Sequence, residues 1–144
     1  MLNIRLARLD ERKALEDLQR RSSLALVEYR EQLEANPDAI DLPIAMIERD
    51  EVIVAEIEGK VAGFAVLFVG DAEAELDGLF VEPEHWNEGI GRALVDVATL
   101  EARKRGLALM VVANPSAREF YEKCGFASEG ETQTRFGPAI RMSK

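Results

Sequence analysis

Apolar residues in this chain follow two rhythms. Over 52–57 and again over 61–69 they run almost unbroken, as Val-Ile-Val-Ala-Glu-Ile and Val-Ala-Gly-Phe-Ala-Val-Leu-Phe-Val, with Glu58-Gly59-Lys60 between. Two such runs around a glycine predict a hairpin, and the unbroken second arm predicts a central strand covered on both faces. From residue 90 the rhythm is helical. Ile90, Ala93, Leu94 and Val97 would share one face, and Arg92, Asp96, Thr99 and Arg103 the other, until Gly106 ends the helix.

Shorter signals fill the remainder. Ile4-Arg5-Leu6 reads as a strand, and Asp10 can cap a first helix carrying Leu15 and Leu18 on one face. A second helix over 24–35 would end at Asn36-Pro37, with loop and a short helical turn over 37–50. A strand is expected over 73–81, stopped by Pro83, and a buried parallel strand over 107–112. Asn114-Pro115 is a strong helix start, a capping side chain followed by proline, with Gly125 closing that helix after Cys124. The segment 126–144 reads as a final hairpin with Gly137-Pro138 in its turn. Strand 73–81, helix 89–104 and strand 107–112 form a parallel crossover, expected to be right-handed. Hairpins flank it, so the sheet should be mixed.

At 144 residues the chain fits one domain, 1–144, with a core of useful size. Its 18 Lys+Arg against 27 Asp+Glu, a formal charge of −9, argue against a nucleic-acid binder. One cysteine, Cys124, leaves no intramolecular disulfide and no cysteine-based metal cluster, which suits a reducing compartment. The N-terminus is charged within its first residues, and the longest apolar run is too short to span a bilayer. A soluble, cytoplasmic protein without membrane or metal partners is expected.

The stretch His-Trp-Asn-Glu-Gly-Ile-Gly-Arg-Ala-Leu, 85–94, places Gly89 and Gly91 at a helix start. Glycine is a poor residue there. It does, however, bare backbone N–H groups that have no intrahelical partner and carry the positive end of the dipole, which is how helices bind phosphate. The glycines either shape a turn or admit an anion. Two familiar phosphate loops do not fit. A Walker loop needs Gly-Lys-Ser/Thr where this chain has Gly91-Arg92-Ala93, and a dinucleotide loop needs a third glycine where it has Leu94.

The segment 75–98, followed by Asn-Pro-Ser-Ala-Arg-Glu-Phe-Tyr-Glu-Lys-Cys-Gly-Phe at 114–126, resembles the GNAT superfamily of acetyl-CoA-dependent N-acetyltransferases. The likeness covers most of the chain from Val52 onward. One departure is Trp86, where the family's pyrophosphate loop usually carries Gln or Arg. The resemblance implies an α/β (α+β) fold with a mixed, mostly antiparallel central sheet and one splayed parallel strand pair, flanked by helices. Acetyl-CoA would be the co-substrate. Its pantetheine would bond to backbone at Leu79, Phe80 and Val81, much as an added strand does. Gly78 would mark a bulge or a close approach. The pyrophosphate would lie on the amides of Asn87, Glu88, Gly89, Ile90, Gly91 and Arg92, with Arg92 adding charge. Asn114 would contact pantetheine or cap its own helix.

The implied reaction is direct attack of a primary amine, on a small molecule or peptide, upon the thioester. Such an amine titrates near pH 10.4 and needs help to lose its proton. The resemblance points to Tyr121 as the acid for the departing sulfur, to a backbone N–H near Leu79 for the oxyanion, and to Glu75 as the base. Asp77 would share the face of Glu75 unless a bulge intervenes. Cys124, at a helix C-terminus, is expected to be buried and inert, and His85 to be a surface residue. The seven acids and absent Lys and Arg over 71–88 make either a solvated face or a lure for a cationic amine. A non-catalytic acyl-CoA sensor or scaffold is the alternative, and a homodimer is compatible with either.

Overall fold

The computed structural model describes residues 1–135 and 137–144, without the side chains at 27–29, 32 and 37. In chain order the elements are β1 (Leu2–Leu6), α1 (Arg12–Leu24), α2 (Val27–Ala35), α3 (Ile44–Glu48), β2 (Val52–Ile57), β3 (Lys60–Val69) and β4 (Ala74–Val81). They continue with α4 (Ile90–Lys104), β5 (Leu109–Ala113), α5 (Arg118–Lys123), β6 (Ala127–Thr134) and β7 (Gly137–Ser143).

All seven strands join one sheet in the order β1-β2-β3-β4-β5-β7-β6. Every neighbouring pair is antiparallel except β4 and β5, which are parallel. β3 is the covered strand its unbroken apolar run predicts, because helices pack on both of its faces. Phe64 and Val66 meet Leu15 and Leu18 of α1 and Ile47 of α3. Ala65 and Leu67 turn the other way, to Leu94, Val95 and Ala98 of α4. The period-2 alternation of a strand thus feeds two cores at once.

Four local readings need correction. Asp10 does not cap the first helix. It sits exposed in a 3₁₀ turn over Leu9–Glu11, and Glu11 instead takes the Arg8 N–H at 2.8 Å while gripping Arg5 with both oxygens at 2.9 and 2.8 Å. α1 then runs on to Leu24, so the second helix starts only at Val27. Thr99 lies on the buried face of α4, where its hydroxyl returns to the Val95 carbonyl at 2.8 Å and so can leave solvent. Gly137 and Pro138 are part of β7, paired with Thr134 and Gln133, and the Thr134 hydroxyl holds the Gly137 carbonyl at 2.7 Å.

Two irregularities shape the middle of the sheet. β4 and β5 pair only at Ala74–Leu109 and Glu75–Met110, although β4 continues to Val81 and β5 to Ala113. Beyond those pairs the strands part. β4 also carries a bulge: Leu67 faces Leu76 and Val66 faces Gly78, which leaves Asp77 as the extra residue. Gly78 belongs there because a Cβ would come within 2.7 Å of the Phe80 ring.

Candidate active site

The parted strands frame a cleft of about 550 Å³. Its floor is backbone. The Glu82 N–H bonds to the Ala62 carbonyl at 2.8 Å, on the β3 side. Polar groups alternate sides along a strand, so those of Val81 and Leu79 point the opposite way, into the gap. One of them is already used: the Trp86 indole donates to the Val81 carbonyl at 2.8 Å. The Leu79 polar groups and the Val81 N–H are left facing the cleft. The Trp86 that departs from the family's loop pattern therefore braces the end of β4.

One end of the cleft is the α4 N-terminus. Gly89 caps it with φ +84°, a left-handed backbone that suits glycine, and a Cβ there would meet nothing within 4 Å. No side chain caps this end and no acid stands in its first turn. The first intrahelical bond runs from Ala93 N–H to the Gly89 carbonyl at 3.0 Å, so the amides of Ile90, Gly91 and Arg92 have no intrahelical acceptor. Arg92 is exposed beside them and, among the described residues, makes no ion pair. A cation at the positive end of a dipole, paired to no carboxylate, fits a ligand that brings its own negative charge. Gly91 has a different reason from Gly89. A Cβ at 91 would stand 3.2 Å from the Phe120 ring, so the bare position lets Phe120 close one side of the cleft.

Across from α4 lies Tyr121. Its ring packs edge-on against Phe120 and Phe126, with centroids at 5.0 and 5.4 Å, and the residue is 7% exposed. Its hydroxyl finds no hydrogen-bond partner among the described residues. No unpartnered polar atom there is sealed from solvent, so the hydroxyl opens into the cleft it lines. Burial pushes the phenol pKa far above its ordinary range, with Cys124 adding in the same direction, so it stays protonated.

The two strand carboxylates are separated by the bulge. Glu75 pairs with Phe68 and Met110 inside the sheet and does not line the cleft, whereas Asp77 does. Both sit above their ordinary pKa. For Glu75 the causes are burial, then Asp77 and Glu73, with Arg141 opposing; for Asp77, whose side chain is exposed, they are partial desolvation in the cleft wall, then Glu51. A raised carboxyl pKa destabilises the fold once the group ionises. Asp77→Asn should therefore melt slightly above the wild type at pH 7, solvent screening of the exposed carboxylate keeping the gap small, and the gap should close as pH falls below the Asp77 titration. Melting curves at pH 4 and pH 7 check this, and a gap that widens on acidification would contradict it.

Of the other expected residues, Val81, Asn87, Gly89, Ile90 and Asn114 line the cleft; Phe80 touches it too, but its backbone polar groups face β3 and not the gap, and Glu88 does not line it. Glu88 is held instead by His85 Nδ1 at 2.8 Å. Asn114 caps its own helical turn, accepting the Ala117 N–H at 3.0 Å and the Ser116 hydroxyl. Cys124 is buried with its thiol pKa raised by that burial, against the pull of Arg92 and Lys144. Ser22, Leu26 and Phe120 also line the cleft and were not foreseen. Among the described residues, no group of three or more His, Cys, Asp or Glu could hold a metal ion, and no helix is long and apolar enough to cross a membrane.

The sequence profile of the acetyltransferase (GNAT) family matches residues 13–126, from α1 through both glycine and tyrosine segments. The chain belongs to that family. An uncharacterized N-acetyltransferase of Methanocaldococcus jannaschii is 35% identical over 94 residues, 56% of this chain and 42% of that protein. The ribosomal protein bS18-alanine N-acetyltransferase of Escherichia coli K12 is 38% identical over 72 residues, 47% of this chain and 49% of that protein. The chain thus spans about half the length of these curated relatives. Among solved structures, the PaiA N-acetyltransferase of Thermoplasma acidophilum, in complex with coenzyme A, has a TM-score of 0.81 at 22% identity, covering 100% of this chain and 98% of that one. That likeness is one of fold. It places the mixed sheet with its single parallel pair among GNAT acyltransferase folds.

Proposed function

We propose that residues 1–144 form a single acetyltransferase domain that moves the acetyl group of acetyl-CoA to a primary amine of a small molecule or peptide. The observation that carries this is one cleft joining an uncapped helix N-terminus with a free Arg92 to an unpartnered tyrosine hydroxyl. The first suits a pyrophosphate and the second a departing sulfur. Relatives named as N-acetyltransferases and a fold neighbour in complex with coenzyme A support it.

In this reading the amides around Gly89 to Arg92 take the diphosphate, and the free backbone of Leu79 and Val81 takes the pantetheine. The amine nitrogen attacks the thioester carbonyl carbon. A C–N bond forms, the C–S bond breaks, and the amine's proton must leave. The Leu79 N–H is the donor placed for the oxyanion. Glu75 was the expected base, but Asp77 is the carboxylate in the cleft wall, and its raised pKa brings it nearer the range where a base works well. The Tyr121 phenol donates to the sulfur as negative charge gathers there.

Acetyl-CoA should raise the melting temperature by several degrees, since a ligand binding only the folded state at about 100 times Kd stabilises by about 2.7 kcal/mol. Desulfo-CoA should do the same, because the phosphates and pantetheine make most of the contacts. No shift from either at millimolar concentration would refute the proposal. Free thiol released over a panel of amines then separates an enzyme from an acyl-CoA sensor.

A further inference from the structure

Besides Tyr121, two hydroxyl-bearing side chains are buried among the described residues, Ser22 at 7% exposure and Thr99 at 5%. Both sit in helices, where a hydroxyl ordinarily bonds back to the carbonyl one turn earlier. Thr99 does so. Ser22 does not: it has no hydrogen-bond partner among the described residues, and its oxygen is not sealed from solvent. The open space it reaches is the cleft, whose wall it forms together with Leu26, the residue just before α2. Facing the cleft without a protein partner, that hydroxyl has hydrogen-bonding capacity open to a ligand.

The side from which Ser22 enters decides which ligand. α1 packs on the sheet face that carries Phe64, Val66 and Phe80. The α4 start and Tyr121 pack on the other face. The two free hydroxyls thus look into one cleft from opposite sides of the sheet. The α4 side is taken by the proposed cofactor, which leaves the α1 side for the nucleophile. Charge agrees with this. Arg92, at the α4 end, is the only Lys or Arg among the described residues that line the cleft, while Asp77 is its carboxylate. The turn holding Ser22 is also fixed, because Arg21 binds Glu82 just past β4 at 2.9 Å.

We propose that the Ser22 hydroxyl positions the acceptor, accepting one N–H of its amine while Asp77 takes another, so that this mouth selects primary over secondary amines. The proposal rests on the acetyltransferase reading above and goes beyond it in naming the residue and the selectivity. Ser22 is a positioning residue here, not a catalytic one.

The test uses the full chain with benzylamine and alaninamide, each against its N-methyl counterpart, and follows thiol release. The wild type should consume the primary amines faster. Ser22→Ala should raise KM for the primary amines about tenfold, with kcat changed less than threefold, and should lose the preference over the N-methyl forms. Its melting temperature should not fall, and its stabilisation by acetyl-CoA should match the wild type. A serine serving only the fold would lower the melting temperature and leave the preference intact. Weakened acetyl-CoA binding would assign the hydroxyl to the cofactor and overturn the proposal. So would a wild type that binds acetyl-CoA yet consumes neither primary amine. A wild type that acetyl-CoA fails to stabilise fails at the earlier step, and both readings fall together.

Discussion

Tyr121→Phe should lower the single-turnover rate of acetyl transfer by about 10²-fold while leaving acetyl-CoA affinity within twofold. The ring stays, and with it the edge-on contacts to Phe120 and Phe126 that hold this corner together. Only the hydroxyl is lost, and no described residue depends on it for a hydrogen bond. Stability should therefore hold. The size of the rate effect follows from the environment. Burial raises the phenol pKa, so Tyr121 keeps its proton wherever the protein is folded but gives it up reluctantly. That puts its contribution at the lower end of the range for positioned acids, roughly 10²–10⁴. It also predicts that no limb of the pH–rate profile near neutrality belongs to Tyr121. The limb at lower pH should belong to the base, and Asp77→Asn should remove it. Steady-state kcat understates the loss if product release limits the wild type, so single-turnover rates are the comparison. Equal rates for the two proteins would remove Tyr121 from the chemistry and leave it a core tyrosine.

The features most legible in the sequence were those where a pattern has a single physical outcome. The apolar run over 61–69, following Gly59 in a hairpin pattern, points to a strand covered on both sides, and β3 is one. Gly89 and Gly91 flag a helix start with bare amides, and α4 begins there. What stayed hidden depends on pairing across the sheet. Strand alternation puts Asp77 on the face of Glu75, and only the register against β3 shows the extra residue that brings Asp77 alone to the cleft. Ser22 was illegible for a similar reason. A helical serine usually bonds its own backbone, and its freedom shows only when that bond is found missing. Asp10 lost the cap because Glu11 could satisfy Arg5 and the Arg8 N–H together, a competition among neighbours that a capping preference does not contain. One sign was available beforehand. Trp86 replaces the family's polar residue, and an indole N–H in a loop beside a strand end needs an acceptor; Val81 supplies it.

Gly91→Glu should weaken acetyl-CoA binding by 100-fold or more in a protein that still folds. The backbone at 91 is ordinary helix, so only space and charge change. The space is tight, since a Cβ would stand 3.2 Å from the Phe120 ring. Phe120 is partly exposed and can yield by a few tenths of an ångström, and a glutamate in a first turn suits the dipole. The charge is the larger effect. A carboxylate about 4 Å from a phosphate is opposed by about 4 kcal/mol at an effective dielectric near 20, more than the 2.7 kcal/mol that a 100-fold loss requires. Gly91→Ala separates the two causes, since it brings the same Cβ against Phe120 without the charge. It should cost a few-fold in affinity at most. Calorimetric titration of both variants with acetyl-CoA, at low and high salt, reads the difference, and salt should narrow it. If alanine and glutamate weaken binding equally, Gly91 serves the packing of Phe120 and the pyrophosphate lies elsewhere. If neither weakens it, the helix start is only a turn, and the cleft must bind its anion away from α4.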